Sequence, residues 1–272
     1  MSTGSSTDAA DAADAADAAD VFDEPARWRA QAARALDLRD DELIAAMSPG
    51  PACPAALESV LTAVRSAGRP VELVVDVGAG VGGVGEWIRR RTGAAVVAVE
   101  PAAGARDAAS ALFPALSVRP GTAESTGLPD DSADLVVLSG VLSLIDDAGD
   151  VLRETRRIVR PDGLLAIADL FAAGASSVVS GPNVFRSFEQ VTSSLAVRGW
   201  TILDVGCGAP APSSRWAAAA TRVADWVGRA HRDHPAFDAW LADQRHLRSH
   251  VESGDVVGGC IVARHLAMGT LP

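Results

Sequence analysis

Residues 74–83 read VVDVGAGVGG, and this stretch decides the fold. The mostly apolar run 71–76 has the length and β-branched content of a buried strand, and 82–91 follows with helical spacing. Gly78, Ala79, Gly80 and Gly82 lie at the junction. Small residues there let the backbone turn sharply and let a ligand approach the main chain closely. A second run, ILDVGCGAP at 202–210, repeats the letters but not the setting. Pro210 and Pro212 stand where a helix should begin, and no later strand supplies a matching acid. Gly206 and Gly208 are expected to let the chain leave the sheet.

Outward from the loop, strands and helices alternate. Strands are expected at 95–100, 116–119, 133–139, 164–169, 201–205 and 255–265. Helices fall at 104–113, 149–159 and 185–197, and 160–163 reads as a turn. This alternation means a mostly parallel sheet covered on both faces. Ligands of such sheets sit beyond the carboxyl ends of the strands. Residues 25–68 read as an N-terminal helical cap. Trp28, Ala32, Ala35 and Leu36 recur at helical spacing, Asp40 can cap a short helix to Met47, and Pro54 opens a third. Residues 1–24 are expected to be a disordered acidic tail, because the Asp-Ala-Ala repeat builds no apolar face.

Composition narrows the chemistry. The chain has 272 residues, enough for one elaborated domain or two small ones. It contains no lysine and no tyrosine, so a P-loop lysine, a Schiff-base lysine and a Tyr/Lys hydride-transfer pair are excluded. The net charge of -11 is concentrated at the start. Residues 1–24 hold seven acids and no base, leaving 28 acids against 24 arginines in the body. That balance lacks the basic footprint of a nucleic-acid binder. No apolar run is long enough to span a bilayer. Cys53, Cys207 and Cys260 are scattered and odd in number, which fits reduced thiols better than a disulfide framework. Without a signal-peptide pattern the expected location is the cytoplasm.

The glycine loop satisfies two patterns at once. Gly78-x-Gly80-x-x-Gly83 is the dinucleotide form, and Asp76-x-Gly78-x-Gly80-x-Gly82 is the form used for S-adenosylmethionine. A pyrophosphate wants a helix N-terminus. A sulfonium and an amino group suit a carboxylate, and Asp76 stands at the end of the first strand. Glu100 ends the second strand, where an acid can accept hydrogen bonds from ribose hydroxyls.

With VVDVGAGVGG come VVAVEP (96–101), GTAESTGLPDDSADLVVLSGVLSLIDD (121–147) and RPDGLLAIAD (160–169). In order and spacing they resemble the class I S-adenosylmethionine-dependent methyltransferases, from about Val71 to Asp169 and more loosely to His265. The resemblance implies an α/β fold: a Rossmann-like, doubly wound sheet of seven strands, mostly parallel with an antiparallel last strand. It implies a core at 69–267 with a helical insertion at 210–253. Implied cofactor contacts are Asp76, Gly78, Ala79, Gly80, Gly82, Glu100, Pro101, Thr122, Ala123, Glu124 and Ser139. Thr122 stands where the family usually has the aspartate that meets the adenine amino group. The Asn-Pro-Pro-Tyr run of nucleic-acid amino methylation is absent, and Ser139-Gly140 stands there instead.

The implied reaction is an in-line attack on an activated methyl group, which mainly requires positioning. A general base is needed only where the acceptor must lose a proton. His246 and His250, four apart on one helical face, are the weak candidates; a polar helix surface is the plainer reading. His231 and His234 lie nearby in sequence. No acidic or cysteine partner has clear ligand spacing, so no metal is expected. Trp216, Trp226, Phe237 and Trp240 in the insertion either form a lid or pack its helices to the core. The expected function is methyl transfer to a small organic molecule, in specialised metabolism, with neither nucleic acid nor membrane as partner. Alternatives are a quinone or lipid-precursor C-methyltransferase, a non-catalytic S-adenosylmethionine-binding protein and a nicotinamide-dependent oxidoreductase.

Overall fold

The computed structural model describes residues 7–48, 50, 54–207 and 215–265. Three helices come first: α1 (Thr7–Ala35), α2 (Asp40–Ala46) and α3 (Pro54–Ser66). The alternating core runs β1 (Leu73–Val77), α4 (Gly83–Thr92), β2 (Ala95–Val99), α5 (Ala103–Leu112), β3 (Ser117–Arg119), β4 (Ala133–Ser139), α6 (Ala148–Ile158) and β5 (Val159–Ala172). A hairpin of β6 (Val178–Ser180) and β7 (Asn183–Phe185) leads to α7 (Phe188–Ala196) and β8 (Trp200–Cys207). Two helices, α8 (Arg215–Ala230) and α9 (Phe237–Ser253), precede β9 (Val256–His265).

The main sheet has the order β3-β2-β1-β4-β5-β9-β8. β9 is antiparallel to both of its neighbours, and the other pairs are parallel. The chain reverses its direction of travel between β1 and β4, which opens a crevice at their carboxyl ends. Alternation along the strands makes two cores. Val74, Val96, Leu135, Val137 and Leu164 belong to the one that contains α1, α2, α3 and α4 residues. Val75, Val77, Val99, Val136, Leu138 and Ile167 belong to the other, with α6 and α7 residues.

Several expectations need correction. The Asp-Ala-Ala repeat, read as a disordered tail, is helical from Thr7 and continuous with α1, so the boundary at residue 24 falls inside a helix. Alanine is the strongest helix former, and acids near a helix N-terminus complement its dipole. The tail also has a tertiary role: Asp23 Oδ1 accepts the Gly104 amide at 2.7 Å, at the start of α5. The helix expected from residue 185 begins at Phe188, behind a capping box of Ser187 and Gln190. Its expected first residue, Phe185, ends the β6–β7 hairpin, whose turn carries Gly181 at φ 57°. The turn at 160–163 is an irregular lead-in to a longer β5, with Asp162 at φ 62°.

ILDVGCGAP also behaves as strand. β8 continues through Asp204, Val205 and Gly206 to Cys207, paired with β9 at the sheet edge. Gly208, Pro210 and Pro212 lie outside the described residues, as does Cys53. Cys260 is buried in β9.

Trp28 of α1 is only 1% exposed. It stacks on His231 with ring centroids 4.8 Å apart and meets His234 and Trp240 edge-on. Phe237 and Trp226 complete the cluster, Trp226 through His231. These aromatics therefore knit the insertion to the N-terminal helix. Trp28→Ala should cost about 3–5 kcal/mol. Urea unfolding followed by circular dichroism should show a lower midpoint; an unchanged midpoint would mean that this cluster contributes little.

Candidate cofactor site

The β1–α4 loop is tied to the neighbouring strand by its own backbone. Gly78 and Ala79 both donate to the Val99 carbonyl, at 2.8 and 3.1 Å. Gly78 and Gly80 have φ of 65° and 54°, in the left-handed region that favours glycine. A Cβ on Gly78 would lie 2.6 Å from a Val141 methyl, whereas Gly80 faces open space. Gly83 serves packing instead: a Cβ there would meet the Met47 carbonyl oxygen at 2.4 Å. The last glycine of the dinucleotide pattern is thus used to seat α4 against the N-terminal segment.

Glu100 follows β2 and reaches back to the loop. Its Oε2 accepts the Gly80 amide at 2.8 Å and its Oε1 accepts the Ala102 amide at 2.9 Å. Burial raises its carboxyl above the usual range, against the pull of these two amides. Pro101 is exposed, and Arg106 holds the Glu100 and Pro101 carbonyls at 2.9 and 2.5 Å. Each Glu100 oxygen retains a second lone pair for a ligand.

Asp76 is not in the loop. It lies within β1 on the α4 face, 1% exposed, with the Gly85 backbone above it. Neither carboxylate oxygen has a hydrogen-bond partner of good geometry. Burial raises its carboxyl to about 7; the nearby Gly85 amide opposes the shift and Glu100 adds to it.

The loop after β3 is closed on itself. Thr122 donates its amide to the Ser125 carbonyl at 3.0 Å, and its hydroxyl accepts the Ser125 amide at 3.1 Å. Ala123 is buried and Glu124 is exposed. Two residues that sequence reasoning missed anchor this loop. Glu154 of α6 accepts from the Thr126 amide and hydroxyl, at 2.8 and 2.5 Å, and pairs with Arg157. Burial works against the Glu154 charge, but Arg157 and Thr126 together hold its carboxyl below the usual range.

Ser139 is half-buried at the end of β4, followed by Gly140 at φ 68°. Asp169, also missed, fixes the next turn: its carboxylate accepts the Ser143 amide at 3.3 Å and the Leu170 amide at 2.7 Å. Burial raises the Asp169 carboxyl. Arg186 holds the same turn through the carbonyls of Leu142, Ile145 and Asp146, at 2.8, 2.8 and 2.5 Å.

The histidines divide into two groups. His231 and His234 pack on Trp28. His246 and His250 both meet the Ser180 hydroxyl of the hairpin through Nε2, His250 at 2.7 Å. The structure also shows Arg29 of α1, whose desolvation lowers its guanidinium to about 10 and which has no ion pair among the described residues.

Strand order, glycine loop and second-strand acid together give the Rossmann-like fold shared with methyltransferases of known structure. Residues 75–167 match the sequence family described as a methyltransferase domain, and this stretch belongs to it. The chain is 35% identical over 132 residues to the methyltransferase GfsG of Streptomyces halstedii. That match covers 43% of this chain and 48% of the relative, so the chain spans about half of the curated protein's length. In fold it is similar to the [4+2]-cyclase SpnF, with a TM-score of 0.61 and 21% identity over 78% of this chain and 82% of that one. It is also similar to a geranyl diphosphate C-methyltransferase of Streptomyces coelicolor A3(2), with a TM-score of 0.55 and 14% identity over 78% of each chain.

The raised Asp76 carboxyl has a consequence for stability. An unfolded aspartate titrates near 3.9. Between roughly pH 4 and 7 the folded chain therefore holds a proton that the unfolded chain lacks. Stability should fall as pH rises through that window, in total by on the order of 4 kcal/mol. Asp76→Asn should flatten this part of the profile in urea titrations at pH 5 and pH 8. Identical profiles for the two proteins would show that ionising Asp76 carries no such cost.

Proposed function

We propose that this protein transfers a methyl group from S-adenosylmethionine to a small organic acceptor. The observation that carries the proposal is the seat formed by the glycine loop and Glu100, inside the stretch that matches the methyltransferase domain. In this reading Glu100 accepts the ribose hydroxyls beside Pro101. The backbone of Gly78, Ala79, Gly80 and Gly82 runs along the methionine portion, toward Ser139. Thr122, Ala123 and Glu124 border the adenine. Asp76 acts from beneath the loop rather than as a direct contact. Its orphaned oxygens fit a cationic ligand, whose arrival favours the ionised carboxylate over the protonated one.

Bound there, S-adenosylmethionine supplies a methyl group already activated by its sulfonium. The chain's part is to hold an acceptor in line and to exclude water. A small acceptor is supported by the charge balance of the body, 28 acids against 24 arginines, which offers nothing to a phosphate backbone. The similar fold of a geranyl diphosphate C-methyltransferase supports the same class of acceptor. Among the described residues no helix is long and apolar enough to cross a membrane. A role in specialised metabolism and a cytoplasmic site complete the reading.

Calorimetry on the full chain tests it. S-adenosylmethionine and its demethylated product should bind, and NAD should not; tighter binding of NAD would overturn the assignment. Glu100→Gln should weaken S-adenosylmethionine by about 10- to 100-fold, the worth of a hydrogen bond to a charged group. Unchanged affinity would move the ribose away from Glu100.

A further inference from the structure

Ser180, His246, His250 and Asp255 form one connected chain of hydrogen-bonding groups. Ser180 ends β6 and is 7% exposed. The Nε2 atoms of His246 and His250 both contact its hydroxyl. The two rings lie 5.0 Å apart, nearly perpendicular. His250 Nδ1 faces Asp255 Oδ2 at 3.4 Å. Ser253 donates its hydroxyl to the same Asp255 oxygen at 2.7 Å, and Phe185 lies against the His250 ring. The Ser253 hydrogen bond, then His250, hold the Asp255 carboxyl below the usual range, so it is an acceptor only at neutral pH.

The protons in this chain are fixed by counting. Asp255 can only accept, so neutral His250 carries its proton on Nδ1 and leaves Nε2 bare. A serine hydroxyl has one proton, and it must point at that bare nitrogen. His246 Nε2 must then be the donor to Ser180 Oγ. The remaining atom, Nδ1 of His246, is left with a free lone pair. His246 is exposed.

The place matters as much as the order. β5 runs beyond Ala168, the register partner of Ser139, to Ala172, which bridges to Ser187 behind the hairpin. β7 leads into Arg186, which holds the turn after β4. Gly254 caps α9, and the chain enters β9 beside Ala172. The four residues thus stand beyond the carboxyl ends of β4 and β5, where ligands of this fold class sit.

We propose that these residues are a proton relay on the acceptor side, with His246 Nδ1 as the entry point and His250 beside Asp255 as the sink; this rests on the methyl-transfer reading above. The acceptor it suits carries an ionisable O–H. That bond breaks with its electron pair left on oxygen, and the proton lands on His246 Nδ1. His246 passes its Nε2 proton to Ser180, and Ser180 passes its own to His250 Nε2. The positive charge then rests on His250, against the Asp255 carboxylate. His246 is the group that touches the acceptor; Ser180, His250 and Asp255 are positioning residues.

The arrangement is read directly by two-bond nitrogen–proton NMR on the full chain labelled with 15N-histidine, without any acceptor or cofactor. His250 should carry its proton on Nδ1 and His246 on Nε2, at a pH where both are neutral. Ser180→Ala should release His246 into a mixture of tautomers, and Asp255→Asn should release His250. A His246 proton on Nδ1, or tautomers unmoved by Ser180→Ala, would overturn the relay. Calorimetry with S-adenosylmethionine on the same samples keeps the two readings apart. Binding with the wrong tautomers defeats only the relay; correct tautomers without binding defeat the methyltransferase reading and leave the order of protons without that acceptor.

Discussion

The Val99 carbonyl receives two amides from the glycine loop, and Glu100, the next residue, receives a third. Everything at this end of the sheet depends on that tie. It places the loop over the β1–β2 edge of the crevice, with Gly80 facing open space. It also requires left-handed backbone at Gly78 and Gly80, because the chain must turn from a buried strand into a helix within a few residues. A side chain at Gly78 would collide with Val141 of the turn after β4, so the loop and that turn approach closely across the top of β1. The two sides of the crevice are therefore built against each other.

Much of this was legible in the sequence. The valine-rich runs of β1, β2 and β4 are long enough, and apolar enough on both faces, to be read as central parallel strands. Glycine spacing located the loop, and Glu100 was identified by its place after β2. What was not legible depends on contacts between distant segments. Nothing local marks Gly83 as a packing residue, since its neighbour is Met47 of the N-terminal segment. Asp76 was recognised, but its depth was not. Period-two alternation puts it on the same face as Val74, beneath α4. Glu154 and Asp169 look like ordinary helix and strand-end acids until Thr126 and Ser143 are brought to them. The hairpin at 178–185 was missed because its strands are only three residues each. The Ser187–Gln190 capping box was visible, and it would have moved the helix start to its proper place.

His246 and His250 show the limit of spacing as a signal. Four residues apart, they fit an ordinary polar helix face equally well. What distinguishes them is Ser180, distant in sequence, which the β6–β7 hairpin brings against both rings.

The buried carboxylates fall into two groups, and the division follows their arginine partners. Asp134, near the other end of the sheet, holds the Glu72 and Leu73 amides and pairs with Arg160 and Arg69. Glu86 pairs with Arg89 and Arg90, and Glu154 with Arg157. Burial would raise all three, yet their partners hold them below the usual carboxylate range. Asp76, Glu100 and Asp169 lie toward the carboxyl ends of β1, β2 and β5, and none has an arginine ion pair among the described residues. Burial raises all three. An interior carboxylate left without a cation is costly to ionise, and the cost falls when a positive ligand arrives. In a chain with 24 arginines, these three carboxylates keep that cost at the end of the sheet where ligands of this fold class sit. A positive ligand at that end would recover part of the cost of ionising them, and a phosphate would not.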